Sequence, residues 1–235
     1  MSVADNIKNM ASGLSHLFYP RLCEGCSKPL VANEEVLCLD CNVYNLPRTA
    51  YHHIPENETA MRFAGRIPFL KATSFAYFTP DGLLQHLLHR LKYEDRKEVG
   101  LFLGKQLGYD LKQVKWAEGI DAMIPVPLHP RKKSTRGYNQ TELIAEGMSG
   151  ILHIPVINNV LLRTRDTESQ TQKSRSQRLE NMKDAFTLSS DSLKNKHVLL
   201  VDDVLTTGAT LEACAYEILK TKGTKLSIVT IGIAN

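Results

Sequence analysis

The chain has 235 residues, of which 43% are hydrophobic and 23% charged, with a formal net charge of +4. That length suits one α/β domain with a small appendage or two modest domains, and the charge is ordinary for a globular protein. No apolar run approaches the roughly 18 residues needed to cross a bilayer, so membrane insertion is not expected.

In chain order, Ile7, Met10, Leu14, Leu17 and Phe18 recur at helical spacing and predict a short amphipathic helix. Asp5 and Asn6 precede it without a basic or apolar leader, so the segment does not read as a signal peptide. Cys23, Cys26, Cys38 and Cys41 follow as two Cys-x-x-Cys pairs separated by eleven residues. Such knuckles converge on a tetrahedral Zn²⁺, and four thiolates close its coordination sphere, which makes the ion structural. Two disulfides are the alternative, and the lack of a leader argues for a reducing, cytoplasmic setting against them. A loop with Pro47, His52, His53 and Pro55 ends this zone near residue 60.

The zone 61–118 predicts a strand around Phe75 and Tyr77 and two helices. One helix carries Leu83, Leu84, Leu87, Leu88 and Leu91 on a face, the other Val99, Phe102, Leu103, Leu107 and Leu111. From 119 to 235 strand and helix alternate. Strands are predicted at Ala122–Leu128, Val156–Leu162, His197–Val204 and Leu226–Ile233. Helices are predicted from Asn139, with Glu142 in a capping-box pattern, and over Thr210–Lys222, with Gly223 as its C-terminal cap. This order predicts a mainly parallel sheet with helices on both faces. Cys214 falls on the last helix and reads as a buried core thiol.

Charge is uneven. Between residues 129 and 183 ten Lys/Arg face five Asp/Glu, which points to an anionic ligand, although a solvated basic face has the same composition. The run ending in Asp202 and Asp203, then Leu205, Thr206, Thr207, Gly208, Ala209 and Thr210, is more specific. A buried strand would deliver two carboxylates to its C-terminal end, where open α/β sheets bind ligands. The following helix start offers unsatisfied N–H groups to a phosphate, and the carboxylates suit the vicinal hydroxyls of a ribose.

This segment resembles the phosphoribosyl-diphosphate (PRPP) signature of type I phosphoribosyltransferases. That resemblance implies that Asp202 and Asp203 contact ribose hydroxyls and act at the catalytic centre, while the loop Leu205–Thr210 holds the 5′-phosphate. Ile124-Pro-Val-Pro-Leu-His-Pro-Arg131, Arg136-Gly-Tyr-Asn-Gln140, Leu91-Lys-Tyr93 and the pattern Arg163, Arg165, Thr167, Ser169, Gln170, Arg178, Asn181 resemble the ComF/GntX family, as do the cysteine pairs. The match spans nearly the whole chain. It implies a small four-cysteine zinc module with its helix over 1–60 and a phosphoribosyltransferase domain over 61–235, split into a hood (61–118) and a PRPP-binding sheet (119–235).

The resemblance makes His129–Tyr138 the pyrophosphate loop, with His129, Arg131, Arg136, Asn139 and Gln140 as candidate ligands. For Lys132 and Lys133 a surface position is equally consistent. Arg163, Arg165, Gln170 and Arg178 lie in a stretch that resembles the mobile loop closing over PRPP, or a plain linker. Tyr93 is the candidate platform for a planar acceptor; its alternative is to cap its helix and pack on the core. The implied activity is transfer of a phosphoribosyl group from Mg²⁺–PRPP to a nitrogen acceptor, within nucleotide metabolism. The alternative is a non-catalytic PRPP-, nucleotide- or ssDNA-binding accessory of competence and DNA uptake beside a helicase partner. A homodimer is a candidate assembly. The chain also looks like the transferase half of glutamine amidophosphoribosyltransferase, but it has no cysteine at residue 1 or 2 to act on glutamine.

Overall fold

The computed structural model describes residues 20–164 and 185–234. The expected N-terminal helix through Ile7, Met10 and Leu14 lies outside these residues, as do Arg165, Gln170, Arg178 and Asn181. Two compact units divide between Leu46 and Pro47. Residues 47–60, grouped above with the cysteines, make their contacts in the second unit. Arg48 bridges Ala76, and Thr49 Oγ1 donates to Ser74 O at 2.6 Å.

The second unit is built on four parallel strands, β1 (Ala72–Phe78), β2 (Ala122–Pro125), β5 (His197–Leu205) and β6 (Lys225–Ala234). They lie in the order β1-β6-β5-β2. β5 and β6 form the centre of the sheet, and their near-continuous apolar sequences follow from burial on both faces. On one face Val198, Leu200 and Ile228 pack with Leu211, Cys214 and Ile218 of helix α6 (Ala209–Leu219), and with Phe63 of helix α1 (Glu58–Phe63). The other face is covered by α2 (Leu83–Tyr93), α3 (Lys97–Gln113) and α5 (Gln140–Leu152). The predicted stripes are the buried ones: Leu84, Leu87, Leu88 and Leu91 of α2, and Val99, Phe102, Leu103, Leu107 and Leu111 of α3.

Several boundaries differ from expectation. The strand expected over Ala122–Leu128 stops at Pro125, because Pro125 and Pro127 bring no N–H to a ladder. The strand expected over Val156–Leu162 does not form as one element. Val156 makes a single bridge to Met123, while β3 (Leu161–Arg163) pairs antiparallel with β4 (Phe186–Leu188) in a separate two-stranded ribbon. The segment read as a loop after β2 contains a short helix, α4 (Pro130–Arg136), started by Pro130 at its first turn. Helix α6 ends at Leu219, and Gly223, with φ +77°, turns the chain four residues later instead of capping it. Asn139 does cap α5, but Glu142 takes a proton donor outside the box, Lys133 Nζ at 2.9 Å.

Helices α3 and α5 approach to backbone contact. A Cβ on Gly104 would stand 2.1 Å from Ile144 O, and one on Gly147 2.2 Å from Leu101 O. Any side chain there must push the helices apart, which costs about 1–3 kcal/mol or more. Gly147→Val should therefore lower the urea midpoint steeply. Gly150→Ala is the control: no atom lies within 4 Å of the added Cβ, and this variant should match or exceed the parent.

Candidate functional site

The site is assembled at the C-terminal edge of the sheet, where β5 emerges between β2 and β6. Val198 to Val201 are fully buried, and the strand then presents Asp202 and Asp203, each only 8% exposed. Asp202 pairs in register with Thr230 of β6. Asp202 Oδ1 accepts from the Asp203 amide at 2.9 Å, and Asp203 Oδ1 from the Val204 amide at 2.7 Å. The other oxygen of Asp203 receives Lys92 Nζ at 2.7 Å and Gln140 Nε2 at 3.1 Å.

These contacts separate the two acids. Burial and the neighbouring Asp203 charge push the Asp202 carboxyl up to about 8. Burial also acts to raise Asp203, but the Lys92 ammonium and the hydrogen bonds from Lys92 and Gln140 outweigh it and hold the carboxyl below its usual range. Burial acts to depress Lys92, and Asp203 overrides it in the same way, so its ammonium is held above the usual lysine value. The same surroundings thus drive the two acids apart, Asp202 toward its protonated form and Asp203 toward its charged form.

Beyond β5 the chain turns at Gly208, with φ +82°, and enters α6. The first-turn amides of that helix, which follow directly on the loop Thr206–Thr210, have no intrahelical carbonyl before them to bond. Thr207 Oγ1 accepts from the Ala209 amide at 3.4 Å. A Cβ at Gly208 would meet the Phe63 ring at 3.1 Å. Beside this loop two arginines appear that the sequence analysis did not single out. Arg66 donates to Thr207 O at 3.1 Å and is ion-paired with Glu212; Arg62 donates to Ala234 O at 3.0 Å. With Met61, Thr206 and Thr207 they line a cleft of about 540 Å³. Their four-residue spacing was the available signal.

The basic segment lies beyond β2, on the opposite flank. His129 caps α4 through a 3.3 Å bond from the Arg131 amide, and Gly137, with φ +83°, ends that helix. Arg136 donates to Gln140 Oε1, and its guanidinium lies 5.5 Å from the Tyr93 ring centre. A continuous chain of contacts therefore runs Tyr93, Arg136, Gln140, Asp203, Lys92. A cleft of about 510 Å³ is lined by Lys92, Tyr93, Arg131, Lys132, Arg136 and Tyr138. Tyr93 is 70% exposed and also tilts against His89, with ring centres 4.9 Å apart. Asn139 is buried, donating to Val126 O at 3.0 Å, and Lys133 turns to Glu142. Arg163 ends β3 with its guanidinium 5.6 Å from the Phe186 ring centre. Cys214 is buried in the core, as expected of a core thiol, and burial drives its thiol well above the ordinary range.

In the first unit all four cysteine Sγ atoms lie within 4.8 Å of one another, and none is in a disulfide. Cys26 and Cys38 Sγ are 3.6 Å apart. Cys23 Sγ accepts from the amides of Gly25 (3.4 Å) and Cys38 (3.2 Å). The first knuckle closes through Ser27 N to Cys23 O at 2.8 Å, with Ser27 at φ 60°.

A parallel sheet flanked by helices, with an acidic pair at a central strand end and a glycine turn into a helix start, defines a domain of the type I phosphoribosyltransferase fold. Residues 143–234 match the family description "Phosphoribosyl transferase domain". Among curated proteins, DNA utilization protein YhgH of Escherichia coli K12 is 30% identical over 202 residues, covering 85% of this chain and 84% of that one. Competence protein F of Haemophilus influenzae is 35% identical over 133 residues (54% and 58%), and competence protein ComFC of Bacillus subtilis 24% identical over 207 residues (88% and 75%). Among solved structures, purine phosphoribosyltransferase from Pyrococcus horikoshii is 22% identical, with TM-score 0.36, over 58% of this chain and 73% of that one. The glutamine PRPP amidotransferase of B. subtilis is 21% identical, with TM-score 0.39, over 56% and 26%. The chain belongs to the ComF/GntX family, to which these competence and DNA-utilization relatives point, and it carries an N-terminal cysteine cluster before its phosphoribosyltransferase-type domain.

The raised Asp202 carboxyl has a measurable consequence. The folded chain keeps a proton that the unfolded chain releases near 3.8, so stability falls as pH rises from there toward about 8. Asp202→Asn removes this penalty. Its urea midpoint should exceed the parent's by more at pH 8 than at pH 5; an equal gain at both would refute the assignment.

Proposed function

We propose that the protein binds Mg²⁺–PRPP and transfers the phosphoribosyl group to a nitrogen acceptor, releasing pyrophosphate. The observation that carries this reading is the buried Asp202–Asp203 pair set between an anion-accepting helix start on one side and the basic α4 segment on the other. In this reading the Asp202 and Asp203 side-chain oxygens accept from the ribose hydroxyls, the loop Thr206–Thr210 takes the 5′-phosphate, and Arg131 and Arg136 grip the pyrophosphate. Mg²⁺ entering with PRPP would be held beside Asp202 and Asp203 and would supply charge neutralisation for the leaving pyrophosphate. The acceptor nitrogen's electron pair forms the N–C1 bond while the C1–O bond breaks, its electrons departing with pyrophosphate and the surplus proton passing to solvent. The residues contribute positioning and charge stabilisation, with no covalent enzyme intermediate. Lys92 loses its partner when Asp203 turns to the ribose, and the nearby pyrophosphate offers it a replacement.

A second reading is a PRPP- or nucleotide-binding accessory of DNA uptake that performs no transfer. The competence names of the relatives favour it. Acceptor-dependent pyrophosphate release separates the two. For either reading, calorimetry should detect PRPP binding that weakens when Mg²⁺ is chelated. Gly208→Val, which strains the loop backbone at φ +82° and presses on the Phe63 ring, should lose at least about tenfold in affinity while retaining its circular dichroism. Undiminished binding in a folded Gly208→Val variant counts against both.

The cysteine cluster fits zinc. Zn–S bonds of about 2.3 Å in a tetrahedron place sulfurs roughly 3.8 Å apart, close to the 3.6 Å separation of Cys26 and Cys38. Cys23, Cys26, Cys38 and Cys41 would hold one structural ion in a reducing compartment such as the cytoplasm. Elemental analysis should give about one zinc per chain, lost with the fold of this module under strong chelation. Metal-free protein containing Cys23–Cys26 or Cys38–Cys41 disulfides would exclude it.

A further inference from the structure

The two clefts stand on opposite flanks of the acidic pair, and this asymmetry bears on the acceptor. Displacement at C1 brings the nucleophile in from the side opposite the leaving group. The basic α4 segment and Lys92 lie on the β2 flank of Asp202–Asp203, so pyrophosphate departs there. The acceptor then enters from the β6 flank. That flank holds the cleft of about 540 Å³ beside Thr206 and Thr207, within the range of small-molecule sites. Tyr93 stacks beneath Arg136 on the other flank, away from this approach.

The lining of the cleft says what kind of acceptor it takes. Arg66 is neutralised by Glu212 and anchored to Thr207 O. Arg62 is exposed, donates to the neutral carbonyl of Ala234, and has no carboxylate partner among the described residues. An uncompensated guanidinium presents a planar fork that matches a carboxylate in bidentate fashion. Met61, 69% exposed beside it, offers a polarizable thioether to the face of a ring. Thr207 turns its carbonyl toward Arg66, so this wall of the loop presents an acceptor, and the amides that suit a 5′-phosphate lie beyond Gly208. Arg62 is thereby left for a second anion. Its helix is held in place independently: Asn57 caps α1 through a 3.0 Å bond from Ala60 N and donates to Ala72 O at 2.8 Å.

We propose that the cleft of Met61, Arg62 and Thr206–Thr207 receives the acceptor, and that the acceptor is a planar ring bearing a carboxylate gripped by Arg62. This rests on the phosphoribosyl-transfer reading above. Product nucleotides test it, because they fill the 5′-phosphate loop and the acceptor position together. Two pairs differ chiefly in the group at issue: orotidine against uridine 5′-monophosphate, and nicotinate against nicotinamide mononucleotide. In calorimetry on the full chain the carboxylated member of at least one pair should bind about tenfold or more tightly than its partner. Arg62→Gln should erase that preference and leave ribose 5-phosphate affinity unchanged. Equal affinity within both pairs overturns the proposal while leaving phosphoribosyl transfer standing. So does an Arg62→Gln variant that weakens ribose 5-phosphate as much as the nucleotides, since the guanidinium would then serve the 5′-phosphate. Failure of the parent protein to bind ribose 5-phosphate at all would remove the transfer reading, and this proposal with it.

Discussion

The rest of the second unit is arranged around two carboxylates that a central parallel strand carries into a nearly dry position. Two adjacent acids cannot both stay ionised there without compensation, since burial and mutual repulsion both oppose charge. The structure answers with one cation and one amide, Lys92 and Gln140, both on Asp203. Asp202 is left to hold its proton. This division requires α2 to end, and α5 to begin, within reach of the end of β5, and it ties together three segments far apart in sequence. In the phosphoribosyl-transfer reading, ribose hydroxyls would donate to the same oxygens that Lys92 and Gln140 reach, so the arrangement is suited to exchange partners.

That exchange needs a scaffold that does not yield. Gly104 and Gly147 let α3 and α5 meet at backbone distance, and Leu103, Leu107, Ile144 and Met148 are wholly buried around them. On the β1 side a chain of buried hydroxyls links Tyr51, Thr59, Ser74 and Thr230 at 2.7–2.9 Å and ends on Gly232 O. Every member has a partner, so internal hydrogen bonds offset the cost of taking these hydroxyls out of water. The chain joins α1, β1 and β6 and so locates the helix that carries Arg62 relative to the strand that neighbours Asp202.

Two flanks with different chemistry follow from the sheet order. Beyond β2 stand Arg131, Lys132 and Arg136, arranged around Tyr93; beyond β6 stand Arg66, neutralised by Glu212, and Arg62, which has no carboxylate partner among the described residues. A site of this kind can hold a highly charged leaving group on one side and a singly charged, flatter molecule on the other. The relatives' names speak of DNA utilization and competence, and the paired-acid edge is the part of this chain with which such a role would have to be reconciled chemically.

What was legible in the sequence was whatever depends on local pattern. Apolar stripes marked α2 and α3 because a helix buries residues at fixed spacing, and the run before Asp202 marked β5 because a strand covered on both faces is continuously apolar. The loop Thr206–Thr210 and the cysteine knuckles were legible because their chemistry needs adjacent residues. Boundaries failed where local rules compete: prolines cut β2 short, and residues 130–136 coil into α4 although their composition reads as loop. Only tertiary structure decided that Lys92 meets Asp203, that Arg136 reaches Gln140 over Tyr93, and that Arg62 and Arg66 stand beside Thr207. Arg66 and Thr207 alone are separated by 141 positions, and a charge's partner across such a distance is set by how helices cross a sheet, which no local periodicity encodes.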